Sequence, residues 1–375
     1  MSAKLTDIAA ELPASVPFVG PETQERARGA PFRARIGANE NVFGPSPAAI
    51  EAMRRTAADQ WMYGDPDLHD LRQAIAAHHG LPPESIVIGE GIDGLFGYTN
   101  RLFVQPGDKV VTSAGAYPTF NYHVSGYGGE LITVMFRDDH EDLEGLSKAA
   151  AYHRPKLVYL SNPDNPMGSW HSAEDVQSLI DAMPDGTLLC LDEAYIEFAP
   201  EGTAPTWDPE DRRVIRFRTF SKAYGLAGLR IAYAVSHPET ALAFNRIRNH
   251  FGVSRMAQEA ALASLADPDH LDRVRALVAH ARNKISQIAR NNGLIPLPSA
   301  TNFVTVDCGA DHVFAKAVTE ALLDRDVFVR MPGVPPLARC IRISAGTDAD
   351  LDILSDVLPG AIGAARSAVT APQHG

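Results

Sequence analysis

Arg216 to Arg230 reads R-F-R-T-F-S-K-A-Y-G-L-A-G-L-R and places one lysine, Lys222, between two short apolar runs. Short runs rich in β-branched and aromatic residues suit buried strands. The chain has only seven lysines. A lysine held among apolar and small residues loses hydration, its pKa falls and its free amine becomes a nucleophile. Schiff-base chemistry needs such an amine. For an isolated Ser-Lys pair a solvated turn is the better reading, so the neighbouring stretches must decide. Asp192 directly follows the apolar run T-L-L-C-L, as a helix cap or a working carboxylate. Asn165 lies in S-N-P-D-N-P-M-G, a concentration of turn residues after K-L-V-Y-L. Phe120 closes A-Y-P-T-F, either as a cover for a flat ring or as core. Asn39 opens the polar trio Asn39-Glu40-Asn41 before a Gly-Pro turn, either as turn chemistry or as the edge of a substrate site.

From about residue 85 to 235 strand-like and helix-like patterns alternate, which predicts a mostly parallel sheet with helices on both faces. In such sheets ligands bind at the C-terminal ends of the strands. Gly91, Phe120, Asn165, Asp192 and Lys222 all fall at or just past such ends. Gly89 to Gly94 reads G-E-G-I-D-G between a strand and a helix and fits a dinucleotide turn. That reading requires an acid at the end of the next strand, where the chain has Ser113-Ala114-Gly115. An NAD-dependent oxidoreductase is therefore the remote alternative. The helix N-terminus still suits a phosphate, because free N–H groups and the helix dipole point at it. After Pro238 the pattern changes to a smaller α+β unit. The expected organisation is an irregular arm over 1–35, a large domain over 36–250, a small domain over 251–364 and a disordered tail over 365–375. The helix over 68–79 carries His69, His78 and His79, expected to face solvent.

The 375 residues are 45% hydrophobic and 21% charged, with a net charge of -12. That balance suits a globular protein and argues against a nucleic-acid partner, which needs a basic surface. No apolar run is long enough to span a bilayer, and the N-terminus lacks the pattern of a signal peptide. Cys190, Cys308 and Cys340 are widely spaced and odd in number. They read as buried thiols in a reducing, cytoplasmic setting without metal-ligand spacing.

Taken together, A-N-E-N-V-F-G-P-S-P, S-N-P-D-N-P-M-G, L-D-E-A-Y, the Lys222 stretch and I-R-I-S-A-G-T resemble fold-type I pyridoxal-phosphate aminotransferases, closest to the histidinol-phosphate aminotransferase group. The resemblance runs from about Ile36 to Leu358. It implies that Lys222 forms the Schiff base and moves the substrate proton, and that Asp192 keeps the pyridinium nitrogen protonated. It implies that Asn165 and Tyr195 bond the phenolic oxygen and that Phe120 stacks on the ring. Thr219, Ser221 and Arg230, with the turn Gly91-Ile92-Asp93, would hold the phosphate. Arg342 would take the substrate α-carboxylate, Arg330 the side chain or its phosphate, and Asn39 would line the substrate. Tyr63 would reach the cofactor phosphate of a neighbouring subunit, so the resemblance implies a homodimer. Three positions depart from the pattern: bulky Ile92 in the phosphate turn, Gly64 after Tyr63, and Met167 in place of Thr. Histidinol phosphate with 2-oxoglutarate is the first expected substrate pair. An aromatic amino acid aminotransferase is the alternative, followed by a pyridoxal-phosphate decarboxylase or racemase.

Overall fold

The described residues, 3–14 and 19–370 of this computed structural model, hold twelve strands in three sheets. Strand β1 is Ala34–Arg35. Strands β2 (Ile86–Gly89), β3 (Lys109–Ser113), β4 (Glu130–Val134), β5 (Leu157–Ser161), β6 (Leu188–Asp192), β7 (Val214–Thr219) and β8 (Ala232–Val235) form one seven-stranded sheet. Strands β9 (Ile295–Pro296), β10 (Phe303–Asp307), β11 (Val327–Phe328) and β12 (Cys340–Ser344) follow.

The large sheet has the order β2-β8-β7-β6-β5-β3-β4. All its pairings are parallel except those of β8, which is antiparallel to β2 and β7. The sheet is flanked by helices, the α/β class that the alternating pattern predicts. Every residue of β5 is buried, as expected of a strand covered on both faces. Beneath the strand ends, Phe96, Phe120, Tyr159 and Phe217 pack as one aromatic cluster, with Phe120 stacked on Tyr159 at 4.5 Å between centroids. The dinucleotide reading of G-E-G-I-D-G fails here. A dinucleotide fold opens on a central parallel strand, whereas β2 is an edge strand with one antiparallel neighbour.

Three other expectations are corrected. The N-terminal arm is not irregular: helices α1 (Asp7–Glu11) and α2 (Pro21–Arg28) form in it. Thr6 caps α1 through its side chain, and Pro21 starts α2 at a position where a missing N–H costs nothing. The tail is not disordered up to its described end. A helix spans Asp348–Thr370, held by buried Leu354, Leu358, Ala361, Ile362 and Ala365 at helical spacing; residues 371–375 of the expected tail lie outside the described residues. Helix α3 (Pro47–Thr56), capped by Ser46, precedes α4 (His69–His79). On α4, His79 does not face solvent. Its ring packs against Trp207 and meets the Tyr233 hydroxyl at 2.7 Å, and burial pushes its pKa down to about 3.

The C-terminal unit holds β12-β10-β9 and the long helix Pro268–Asn291. Chain ends cross between units at residues 34–39. Strand β1 pairs in parallel with β11, Ile36 N–H donates to Phe328 C=O, and Ser344 N–H donates to Ile36 C=O. Position 36, where the sequence suggests the large unit begins, is thus hydrogen-bonded to the C-terminal strands.

Candidate active site

Strand β7 ends at Thr219 and the chain turns sharply through Lys222. Thr219 Oγ1 accepts from Ser221 N–H at 3.0 Å, and Leu226 N–H closes the turn onto Phe220 C=O at 2.9 Å. Gly225 has φ +71°, and a Cβ there would lie 2.6 Å from the carbonyl carbon of Gly44. Only glycine allows this contact between the lysine loop and the A-N-E-N-V-F-G-P segment. The same two segments are joined by Asn41 Nδ2 to Ala223 C=O at 3.0 Å. Lys222 Nζ donates to Asn39 C=O at 3.1 Å and lies 5.5 Å from the centre of the Tyr195 ring. Burial lowers the Lys222 pKa; Arg342 and Arg230 push the same way, while Tyr117 and Glu40 oppose them.

Asp192 is the last residue of β6, opposite Ser161 of β5. Its Oδ2 accepts from the Tyr159 hydroxyl at 2.8 Å and its Oδ1 from Ala194 N–H at 3.0 Å. Burial pushes its pKa up to about 6, while the Tyr159 and Ala194 donors and Lys222 pull it down. The Tyr195 hydroxyl accepts from Asn39 Nδ2 at 3.1 Å and from Asn165 Nδ2 at 3.4 Å. Burial pushes Tyr195 up to about 12. Asn39 adopts φ +55°, and Ser344 holds it twice: the Ser344 hydroxyl accepts from Asn39 N–H and donates to Asn39 Oδ1, both at 2.9 Å.

Arginines border both sides. Arg342 Nη1 donates to Asn165 Oδ1, and its guanidinium carbon sits 5.2 Å from the Phe303 ring centre. Its Nε is buried with no protein partner, and burial pushes its pKa down to about 10. Arg330 pairs with Arg342 through the backbone and donates from Nη2 to Val19 C=O at 2.9 Å. On the opposite side Arg230, itself at φ +52°, donates to Ala227 C=O at 3.0 Å and reaches Ser221 Oγ at 3.5 Å. Its guanidinium lies over Gly91, the first residue of helix α5 (Gly91–Phe103). A Cβ at Gly91 would come 2.3 Å from Arg230 Nη2, and no side chain caps this helix.

Lys222, Asn39, Tyr195, Asn165 and Arg342 are thereby joined by direct contacts, and Asp192 lies within electrostatic reach of Lys222. Arg230, Ser221, Gly91 and the N-terminal turn with Ile92 and Asp93 form an adjoining corner. The side chains of Phe120, Thr219 and Asp93 are engaged within the chain, and Tyr63 is exposed. Phe120 is 0% exposed and lies inside helix α6 (Pro118–Gly126), with its ring stacked on Tyr159; Tyr117, which precedes the helix, is also within electrostatic reach of Lys222. The Thr219 hydroxyl is used within the turn, since it also contacts Ile231 C=O at 3.4 Å. The Asp93 carboxylate is engaged by His123 at 2.8 Å, leaving its backbone as the available group. Tyr63 is 76% exposed and its ring packs on Phe251, 4.7 Å between centroids. Sequence reading missed Tyr117, Tyr159 and Ser344. Tyr159 had a signal: it lies two residues before Ser161, on the same face of β5, as the one hydroxyl-bearing residue of K-L-V-Y-L.

The arrangement can hold an anion at the α5 N-terminus, present an amine of lowered pKa in the middle, and bind a second anion at Arg342. The comparisons agree with that layout. Residues 35–358 match the family described as aminotransferase class I and II. Histidinol-phosphate aminotransferase 1 of Mesorhizobium japonicum is 38% identical over 337 residues, covering 88% of this chain and 91% of that protein. The histidinol-phosphate aminotransferase of an Anaeromyxobacter species is 36% identical, over 90% and 93% respectively. The crystal structure of histidinol-phosphate aminotransferase from Sinorhizobium meliloti in complex with pyridoxal 5'-phosphate superposes with a TM-score of 0.94 at 54% identity, covering 98% of this chain and 99% of that one.

Proposed function

We propose a substrate pair and residue roles for this chain, which belongs to the class I and II aminotransferases and is therefore a transaminase. The cofactor is pyridoxal 5'-phosphate, the amino donor histidinol phosphate and the acceptor 2-oxoglutarate. The named substrate of the Mesorhizobium, Anaeromyxobacter and Sinorhizobium proteins supports the donor. One observation carries the chemistry: Lys222, a lysine of lowered pKa, sits at the end of β7 with Asp192 buried at the end of neighbouring β6.

The residues present fit the cofactor. The uncapped N-terminus of α5 and the Arg230 guanidinium over Gly91 form a corner for a phosphate dianion. The buried, unpartnered Nε of Arg342 awaits an acceptor. Bound there, the cofactor supplies an electron sink for the charge that develops at the substrate Cα. Lys222 provides the attachment point and then, as a free amine, removes and returns the proton at that carbon. Asp192 holds the proton on the ring nitrogen, which requires an ionised carboxylate; Tyr159 and Ala194 stabilise that form. Tyr195 and Asn165 donate to the ring oxygen. Ser221, Arg230 and the N–H groups of Ile92 and Asp93 hold the phosphate. Thr219 shapes the loop that presents them, and Tyr117 borders the pocket. Arg342 grips the α-carboxylate of the 2-oxo acid, Arg330 the phosphate of the donor, and Asn39 orders Lys222 and Tyr195.

A cytoplasmic homodimer completes the reading. Tyr63 and Phe251 are exposed as a pair, which suits insertion into a second copy. The three free, buried cysteines suit a reducing compartment. No helix among the described residues is long and apolar enough to cross a membrane.

The test is a donor panel. The purified protein is loaded with pyridoxal phosphate and mixed with histidinol phosphate, phenylalanine or tyrosine in the absence of acceptor. Histidinol phosphate should convert the bound cofactor to its amine form fastest, and borohydride should fix the cofactor to the peptide containing Lys222. Faster conversion by an aromatic amino acid would overturn the donor. Release of carbon dioxide, or loss of stereochemistry alone, would overturn the assigned half-reaction.

A further inference from the structure

Three carboxyls lie buried together beneath the site: Asp192, Asp164 and Glu141, exposed by 4%, 2% and 1%. The mechanism above uses only Asp192. Asp164 turns the loop after β5 by accepting from Met167 N–H at 2.7 Å. Glu141 comes from the segment after β4 and belongs to none of the strands it touches. Its Oε2 accepts from the hydroxyl of Ser113, the last residue of β3, at 2.5 Å. Its Oε1 accepts from the N–H of Ser161, the last residue of β5, at 2.9 Å. Its backbone carbonyl faces His171 Nε2 at 2.9 Å.

The sheet geometry explains why something must stand there. Strands β3 and β5 pair only at Val110–Leu157 and Val111–Val158. Beyond that point β3 and β5 share no further register pair, and the Glu141 carboxyl bridges their last residues, Ser113 and Ser161. Ser161 is also the register partner of Asp192, and Asn165 follows four residues later. A buried charge is a costly brace where a neutral side chain of the same length would serve. The choice of a carboxyl points to a use for its charge.

We propose that Glu141 is a positioning residue for the transamination: it ties together the ends of β3 and β5 beyond their last register pair, and with them the Asn165 loop, and it supplies a negative charge behind Asp192. The inference rests on the pyridoxal-phosphate reading of the site. The groups facing Glu141 are Ser113 of β3, Tyr159 and Ser161 of β5, Asp192 of β6, Asp164 of the following loop, His171 and the adjacent His140. Lys222 acts on Asp192 and Arg342 on Asp164, so the cations of the site face those two acids. Burial pushes Glu141 up to about 7, with Asp192 adding to the rise and Ser113 and Ser161 opposing it. The brace therefore changes charge across neutrality, and the groups that meet the cofactor sense the change.

Glu141→Gln keeps the span, accepting from Ser161 and donating to Ser113, and removes the charge. The loaded protein is titrated from about pH 5 to about pH 9 by cofactor absorbance, together with the pH profile of kcat and the affinity of the apoprotein for pyridoxal phosphate. The wild type should show an ionisation near pH 7 that the variant lacks in both absorbance and kcat, with cofactor affinity changed by no more than about threefold. Ser113→Ala removes a donor to the charged form and should move the ionisation to higher pH; it carries the test alone if Glu141→Gln does not fold. Superimposable titrations of wild type and Glu141→Gln, or an unmoved ionisation in Ser113→Ala, would overturn the inference while leaving the functional reading intact. A wild type that binds no pyridoxal phosphate would overturn both.

Discussion

Gly91→Ala probes the phosphate corner with two separable effects. Gly91 has φ +76°. A residue with a Cβ pays about 1–2 kcal/mol in that region, which sets the expected loss of apoprotein stability. The added Cβ would also sit 2.3 Å from Arg230 Nη2 and 2.9 Å from its Cζ. Those atoms end a flexible side chain, so the clash is relieved by withdrawal of the guanidinium, at little further cost to the fold. Withdrawal removes charge-assisted hydrogen bonds to the phosphate, each worth about 1.5–3 kcal/mol. One such bond corresponds to about a 10- to 150-fold loss of affinity. Urea unfolding of the apoprotein reads the first effect, and titration with pyridoxal phosphate reads the second. A variant destabilised as expected that binds cofactor like the wild type would refute the phosphate role of Arg230. Gly225→Ala is the control: its Cβ meets the backbone of Gly44 and Pro45 at 2.6–2.8 Å. No side chain can swing away there, so its stability loss should exceed that of Gly91→Ala.

Arg342→Lys should raise KM for the 2-oxo acid by about tenfold or more, because an ammonium cannot make the paired bonds of a guanidinium; an unchanged KM would remove Arg342 from carboxylate binding. Tyr159→Phe removes a donor to the charged form of Asp192 and should raise the Asp192 pKa further above about 6. The acid limb of kcat/KM should then move to higher pH by about one unit, and a stationary limb would contradict the link. Glu141 has a raised pKa in the folded state, about 7 against 4.5, so its contribution to stability is present below the lower value and lost as pH rises through the higher one. The loss is on the order of 3 kcal/mol. Urea unfolding of apo Glu141→Gln should lack this decline between those pH values, and parallel wild-type and variant curves would count against a titrating Glu141.

Much of the centre was legible because strand ends are legible. Asp192 follows an apolar run directly and Asn165 lies in the turn-rich stretch after another, and position within a parallel sheet then fixes where they meet. Lys222 stood out as a charge among small residues, whereas Arg230 came only from the family resemblance. A-Y-P-T-F carries two aromatic residues, and local pattern does not say which one turns inward. Helix α6 begins between them, so Tyr117 stays at the rim and Phe120 enters the core. Ser344 and Glu141 were out of reach for another reason. Their partners lie 305 and 28 or 20 residues away, and nothing in the flanking sequence records such a contact. The arm was misread because prolines read as breakers and the tail because chain ends are usually poorly ordered, although Pro at a first turn and Ala on a buried face both suit helices.

The hold of Ser344 on Asn39 also orders events during synthesis. Asn39 is made early, yet the hydroxyl that holds it belongs to a residue 305 positions later. At translation rates of about 5–20 residues per second, that interval is roughly 15–60 s. For most of it β1 lacks β11, and throughout it the carbonyl that receives Lys222 lacks its support. The central sheet can form on the ribosome from residues 86 to 235, whereas the lysine acquires its setting only when the last strand arrives. A nascent chain stalled before residue 344 should therefore hold a folded sheet that cannot retain the cofactor.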